Sequence, residues 1–219
     1  MGLHRSSSVR VPWAFDEEAV ELTRRFTRLK LSLMPYLGGL AEQASGEGVA
    51  MMRPMVLEFP DDRGGYSVDT QYMLGDAICV SPVFRADGVA EIYPPAGRWT
   101  HLLDGSVVDG PGWTTRTYGF DSLGVYVRPG TVLPLRAVED TPEYAWAEGV
   151  TLRLYELPEG YERTVTVPGG TGRPGTFRVQ RHGDVITVDS TDARAAWSVA
   201  VAGTSLTARR PGRERSPCS

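Results

Sequence analysis

The hydrophobic period of this chain changes once, and that change restricts the fold more than any motif does. From Asp16 the stretch DEEAVELTRRFTRLKLSLMPYLGGL places Leu22, Phe26, Leu29, Leu33, Leu37 and Leu40 at steps of three and four, with Arg24, Arg25 and Arg28 between them. Such spacing lays one apolar stripe along a helix. After Ala50 the pattern gives way to short apolar runs, among them MMRPMVLEF, AICVSPVF, VAEIYPP, RWTHLL, GVYVRPGTVLPL, VTLRLYEL, RTVTV, TFRVQ and DVITVDS, separated by Gly, Pro and Asp clusters. No further helical pattern intervenes, so the runs read as strands of β-sandwiches rather than as βαβ units.

The predicted chain is therefore mainly β, with one long N-terminal helix followed by two antiparallel β-sandwich modules. Asp16 is the expected N-cap, with Glu17 and Glu18 in the first turn, where the helix dipole favours negative charge. Pro35 removes a donor and must bend or break the helix, and Gly38 and Gly39 each weaken its second half by about 1 kcal/mol against alanine. That half needs a tertiary partner. The prolines and acids of LPLRAVEDTPEY suggest a boundary near Ala137 to Pro142. The expected layout is a helical part over 1–49, a proximal sandwich over 50–138 and a distal β module over 139–208. A disordered basic tail is expected over 209–219. Ile78, Val80, Val83, Val125 and Val127 are the expected core of the proximal sandwich.

At 41% hydrophobic and 23% charged, the 219 residues have enough apolar material for a substantial core. A net charge of -4 is too small and too mixed to indicate a nucleic-acid partner or an anionic membrane, although Arg209, Arg210, Arg213 and Arg215 make the end locally basic. Cys79 and Cys218 are too few and too far apart for a disulfide framework or a metal cluster, which points to a reducing, cytoplasmic setting. No run approaches the roughly 20 apolar residues that span a bilayer.

Few residues offer chemistry. Glu58, Asp61 and Asp62 in EFPDD could form a paired-acid site, but acids at strand ends more commonly bond to their own turn. Asp76 after Gly75 and Asp104 before Gly105 read as turn residues. His4, His101 and His182 show no ligand spacing, so no metal and no cofactor is expected. No phosphate loop, nucleophile elbow or dinucleotide fingerprint occurs, and PGGTGRPG reads as a flexible loop. Trp99, Trp113, Tyr118 and Trp146 could form a sugar-stacking platform, against the commoner use of such rings as core.

Beyond the residue-by-residue reading, QYMLGDAICVSPVF behind MMRPMVLEFPDD resembles glycoside hydrolase family 31 where the catalytic barrel passes into its C-terminal β-sandwich. The resemblance extends through RVPWAFDEEAVELTRRFTRLKLSLMPYL, GRWTHLLDG, YGFDSLGVYVRPGTVLPL and YAWAEGVTLRLYEL, and is strongest to the α-xylosidase branch. It implies a retaining α-glycosidase built on a (β/α)8 barrel, hydrolysing terminal α-linked xylose or glucose through an aspartate nucleophile and an aspartate acid/base. Neither family motif that carries those aspartates occurs here, so the helix from Asp16 is expected to be the last barrel helix. The resemblance makes His4 a substrate-binding residue that hydrogen-bonds sugar hydroxyls, although Gly2 stands where the family usually has arginine.

The expectation is a C-terminal fragment that is inactive alone because its catalytic aspartates lie upstream, with carbohydrate and the missing barrel as partners. Without the barrel the apolar face of the helix should be exposed and prone to self-association. Two alternatives are a free-standing carbohydrate-binding β-sandwich and a subunit that complements a separately encoded barrel.

Overall fold

Asp16 caps the first helix, α1 (Glu17–Ser32), its carboxylate accepting the Ala19 N–H at 2.7 Å. The computed structural model describes residues 11–136, 141–190, 192, 195–202 and 207–209. His4, Cys218, the tail beyond Arg209 and part of the expected boundary, 137–140, lie outside them.

The single long helix of the sequence reading is two helices. α1 stops at Ser32, and α2 (Met34–Glu47) restarts with Pro35 in its first turn. There the missing proline N–H removes no helical bond, whereas inside a continuous helix its ring would strike the carbonyl four residues back. Two carbonyls at the end of α1 find partners across the chain: Leu31 O accepts the Tyr144 hydroxyl at 2.7 Å, and Ser32 O accepts the Arg136 N–H at 3.0 Å. α2 continues beyond Leu40 to a left-handed Gly48, whose N–H bonds Ala44 O at 3.2 Å. Its glycines do not fray it, because the rest of the protein packs against it.

The run MMRPMVLEF is not one strand. It forms β1 (Met52–Arg53), then Pro54 leads into a one-turn helix α3 (Met55–Glu58). Next come β2 (Tyr72–Leu74), β3 (Ile78–Ser81), β4 (Val89–Ile92), β5 (Gly97–His101), β6 (Val107–Gly110), β7 (Thr114–Thr117) and β8 (Gly124–Val127). Six of them make an antiparallel sheet in the order β1-β2-β3-β8-β5-β6, while β4 and β7 pair separately. β2 turns into β3 through a positive-φ Gly75.

β3 and β8 are buried on both faces, so their alternation divides the core rather than separating core from water. Ile78, Val80, Val125 and Val127 point to a cluster with Leu33 at the helix junction and Tyr36 and Leu40 of α2. Cys79 and Tyr126 point to the opposite cluster, with Met55, Met73, Ile92 and Trp99. Val83, expected in the core, is only half-buried, because β3 ends at Ser81.

The distal part departs from two independent antiparallel sandwiches. It contains β9 (Thr131–Leu135), β10 (Thr151–Tyr155), β11 (Glu162–Val167), β12 (Gly175–His182), β13 (Val185–Ser190), β14 (Ser198–Ala202) and β15 (Thr207–Arg209). β9 precedes the expected boundary yet pairs with β10, in a three-stranded sheet β14-β10-β9. The remaining strands form the sheet β11-β12-β13-β15. The pairs β10–β14 and β13–β15 are parallel. Leu152 and Leu154 face the outer cluster with Phe177 and Val188, whereas Leu133 and Tyr155 join the cluster shared with α2 and β8. The three-stranded sheet is therefore a middle layer, and one continuous core crosses the join.

Candidate functional site

Two of the three EFPDD carboxylates are structural. Glu58 lies 2.5 Å from Arg53 Nη1 and 3.6 Å from Arg128 Nη1. Arg53 is buried and fully engaged, donating also to Ala50 O at 2.8 Å and to Gln43 Oε1 at 2.7 Å. This node ties β1 and α3 to α2, and Arg128 covers the Phe59 ring at 4.6 Å. Asp62 accepts the Gly64 N–H at 3.0 Å and the Tyr93 hydroxyl at 2.8 Å. Asp61 is exposed. Retaining hydrolysis needs two carboxyl groups about 5 Å apart across a sugar. Glu58 and Asp62 instead point into separate bonds that hold the fold.

His101 is a buried corner residue, with Nε2–H donating to Leu123 O at 2.9 Å and Nδ1 lying 2.8 Å from Asp104 Oδ1. Its ring stacks on Tyr118 and tilts against Tyr126, whose hydroxyls are 2.8 Å apart. Burial, then the Tyr126 hydrogen bond, push the Tyr118 phenol well above its usual range. Asp104 also accepts the Ser106 N–H at 2.7 Å; burial raises its carboxyl, but the Ser106 and His101 bonds outweigh it and leave it below the ordinary range. His182 is exposed at the β12–β13 turn. Among the described residues no three His, Cys, Asp or Glu side chains converge to hold a metal ion.

The four aromatic candidates are not brought together. Trp99 is fully buried, its Nε1–H donating to Pro95 O at 2.8 Å, and its ring meets Phe59 edge-on. Trp146 is spent on α2, where it covers Gly38, and it bonds Pro142 O at 3.0 Å. Tyr118 belongs to the His101 cluster. Only Trp113 faces water, at 56% exposure, with its ring centroid 5.4 Å from that of Tyr93.

A groove of about 1010 Å³ runs between α2, the β8–β9 turn and β11, and its walls include Tyr36, Asp76, Arg128, Tyr161 and Arg163. Its floor is set by packing: the Tyr36 hydroxyl donates to Leu74 O at 2.6 Å and accepts the Ala77 N–H at 3.2 Å. Burial and the nearby Asp76 raise that phenol far above its usual range. The loop PGGTGRPG, expected to be flexible, is held by backbone contacts. Gly170 bridges Ala145, and Gly169 O accepts N–H groups from Trp146 and Gly172. Cys79 is buried, and burial pushes its thiol up to about 12, which makes it inert packing.

Sequence reasoning missed the Arg53–Glu58–Gln43 node and the contact of Trp146 on Gly38. The first had a signal, an arginine set inside an apolar run. The second had none, since its partners are far apart in the chain.

Two family models match in tandem: the glycosyl hydrolase family 31 C-terminal domain over residues 48–133, and the C-terminal domain of α-xylosidase YicI over residues 145–216. The α-xylosidase XylQ of Lactiplantibacillus pentosus is 40% identical over 72% of this chain, and an α-xylosidase of Emericella nidulans is 42% identical over 64% of it. These matches cover 21% and 19% of the relatives, so the chain spans about one fifth of their length. The cycloalternan-forming enzyme of Listeria monocytogenes, solved with a pentasaccharide substrate, shares the fold over 90% of this chain and 20% of its own, with a TM-score of 0.79 at 23% identity. A proximal sheet and a distal sheet pair, each matched by a C-terminal model of one family and joined through a common core, make this chain a member of glycoside hydrolase family 31 that carries its C-terminal β domains.

Proposed function

We propose that this chain is the C-terminal part of a retaining α-glycosidase of the α-xylosidase type, acting on terminal α-linked xylose or glucose. The observation that carries the reading is the second family match, because it belongs to α-xylosidases and covers the distal sheets. The described residues contribute no acid/base pair, so their role is to support a barrel that brings the two aspartates. α1 supplies the joining surface: Leu22, Phe26 and Leu29 are only half-buried, whereas Leu33 at the helix junction and Tyr36 and Leu40 of α2 are anchored in the sandwich. In this reading residues 1–49 close the barrel, and His4 binds sugar hydroxyls in the assembled enzyme.

The purified chain should show no turnover of chromogenic α-xylosides or α-glucosides. Turnover that survives repurification and disappears in Asp62→Asn would overturn this reading. Sequencing the coding DNA upstream supplies the positive arm: an in-frame barrel with both aspartates supports it.

A further inference from the structure

β4 and β7 lie outside the six-stranded sheet, and their register decides which side chains face water. Glu91 pairs with Thr115, Val89 with Thr117 and Ile92 with Thr114. One step further sets Tyr93 opposite Trp113. The two-residue period therefore places Val89, Glu91 and Tyr93 on one face together with Trp113, Thr115 and Thr117. Ala90 and Ile92 point the other way and are buried.

On that outer face Trp113 is a large ring left in solvent but not left loose. It rests against Tyr93, which is itself immobilised at both ends. The Tyr93 hydroxyl donates to Asp62 Oδ1 at 2.8 Å; its backbone N–H donates to Gln71 Oε1 at 2.8 Å, and its carbonyl accepts Gln71 Nε2–H at 2.7 Å. Gln71 is buried, so this clamp is shielded from water. Beside the ring is a hollow of about 300 Å³ lined by Glu91, Trp113, Thr114 and Thr115. A rigid aromatic face bordered by the Glu91 carboxylate and the Thr115 hydroxyl is an assembled set of contacts, with little ordering left to be done on binding.

We propose that this face of β4 and β7 is a surface saccharide-binding site. A pyranose ring presents partly positive axial C–H bonds on one side and hydroxyls around its edge. The C–H side suits the negative face of the Trp113 indole. The edge hydroxyls can donate to the Glu91 carboxylate and exchange hydrogen bonds with the Thr115 hydroxyl. Other ligands fit less well. The Glu91 charge opposes a phosphate, a single carboxylate does not hold a divalent cation, and the core of a protein interface is poor in charge, whereas this ring is rimmed by polar groups. The site uses no group assigned to hydrolysis, and its failure would leave the α-glycosidase reading intact, since that reading is tested by turnover and by the upstream sequence.

The test uses the full chain with maltotriose and, separately, a xyloglucan oligosaccharide as probes, following the indole N–H resonances of 15N-labelled protein. At millimolar saccharide the Trp113 resonance should shift with a saturable profile. Trp113→Ala should weaken association about tenfold or more, as judged from the remaining shifts on β4 and β7. Glu91→Gln should weaken it several-fold without changing the thermal midpoint. Trp13→Ala, which removes another exposed tryptophan far along the sequence, should bind like the parent. Absence of any Trp113 shift with both probes, or undiminished binding by Trp113→Ala, would overturn the proposal. So would self-association that Trp113→Ala abolishes and saccharide does not affect, because the face would then be a protein contact.

Discussion

Trp146 lies so closely over Gly38 that a β-carbon at that position of α2 would sit 2.1 Å from ring carbon Cζ3. The absence of a side chain is what lets the distal domain seat on the helix, and Gly39 faces Pro168 in the same region. Alanine at 38 gains about 1 kcal/mol of helix propensity, yet it must displace a ring anchored through Nε1 to Pro142 O. Overpacking of this kind costs about 1–3 kcal/mol. Gly38→Ala should therefore lower stability by about 1–2 kcal/mol in denaturant unfolding. In a Trp146→Ala background the same change should be neutral or stabilising. A loss equal in both backgrounds would mean the ring is not the obstacle.

Arg53 satisfies Glu58, Gln43 and Ala50 O at once from a buried position. Arg53→Met should cost about 3 kcal/mol or more, because it leaves the Glu58 carboxylate with only the longer Arg128 contact. Arg53→Met with Glu58→Gln should recover part of that loss. Urea midpoints of the two variants decide it; equal midpoints would show that the stranded charge is not the source of the damage.

Burial raises the Cys79 thiol from 9.0 to about 12, and raises the Tyr155 phenol from 10.0 to about 12. Both groups are favoured in their neutral, protonated form in the folded state, so the native chain holds more protons than the unfolded chain between those values. Their contribution to stability is complete below the unfolded value and is lost as pH rises through the folded one. Stability should thus decline from about pH 9 upward, and Cys79→Ala should flatten the first part of the decline. Unfolding midpoints at about pH 8 and about pH 10 test this, as does alkylation of Cys79, which should require denaturant.

α1 carries Leu22 and Phe26 only half-buried, with Trp13 and Phe15 exposed just before it. The full chain should self-associate and bind ANS, and a chain lacking residues 1–28 should do neither while unfolding at a similar temperature. Removal as far as residue 49 should be far more damaging, since it takes Leu33, Tyr36 and Leu40 out of the core. Light scattering with size exclusion compares the three. A clean monomer without dye signal from the full chain would show that α1 needs no further partner.

Much that is local was legible in the sequence, because short-range chemistry suffices for it. Asp16 reads as a cap and is one. Gly75 and Gly105 each adopt positive φ at the predicted turns. The short apolar runs containing ICVS and GVYV mark β3 and β8, which are buried on both faces. What could not be read depends on partners distant in sequence. Pro35 signals a break but not whether the helix bends or restarts, and the outcome here places the proline in the first turn of α2. β9 looks like a continuation of the proximal sheet until its hydrogen bonds to β10 transfer it to the middle layer.

By itself the sequence determined the helix start, the turns, the strand-rich composition and the family resemblance, since each rests on residues within a few positions of one another or on long ordered motifs. Only the tertiary structure decided which tryptophan is core and which is surface. Trp99 lies in β5 and Trp113 immediately before β7, with the same side chain, yet one is sealed beneath Phe59 and the other rests on Tyr93 in water. Exposure of a ring depends on what the opposite layer contributes, and that layer is assembled from distant parts of the chain. The same is true of Gly38, whose value as a glycine exists only because Trp146, more than 100 residues later, comes to lie on it.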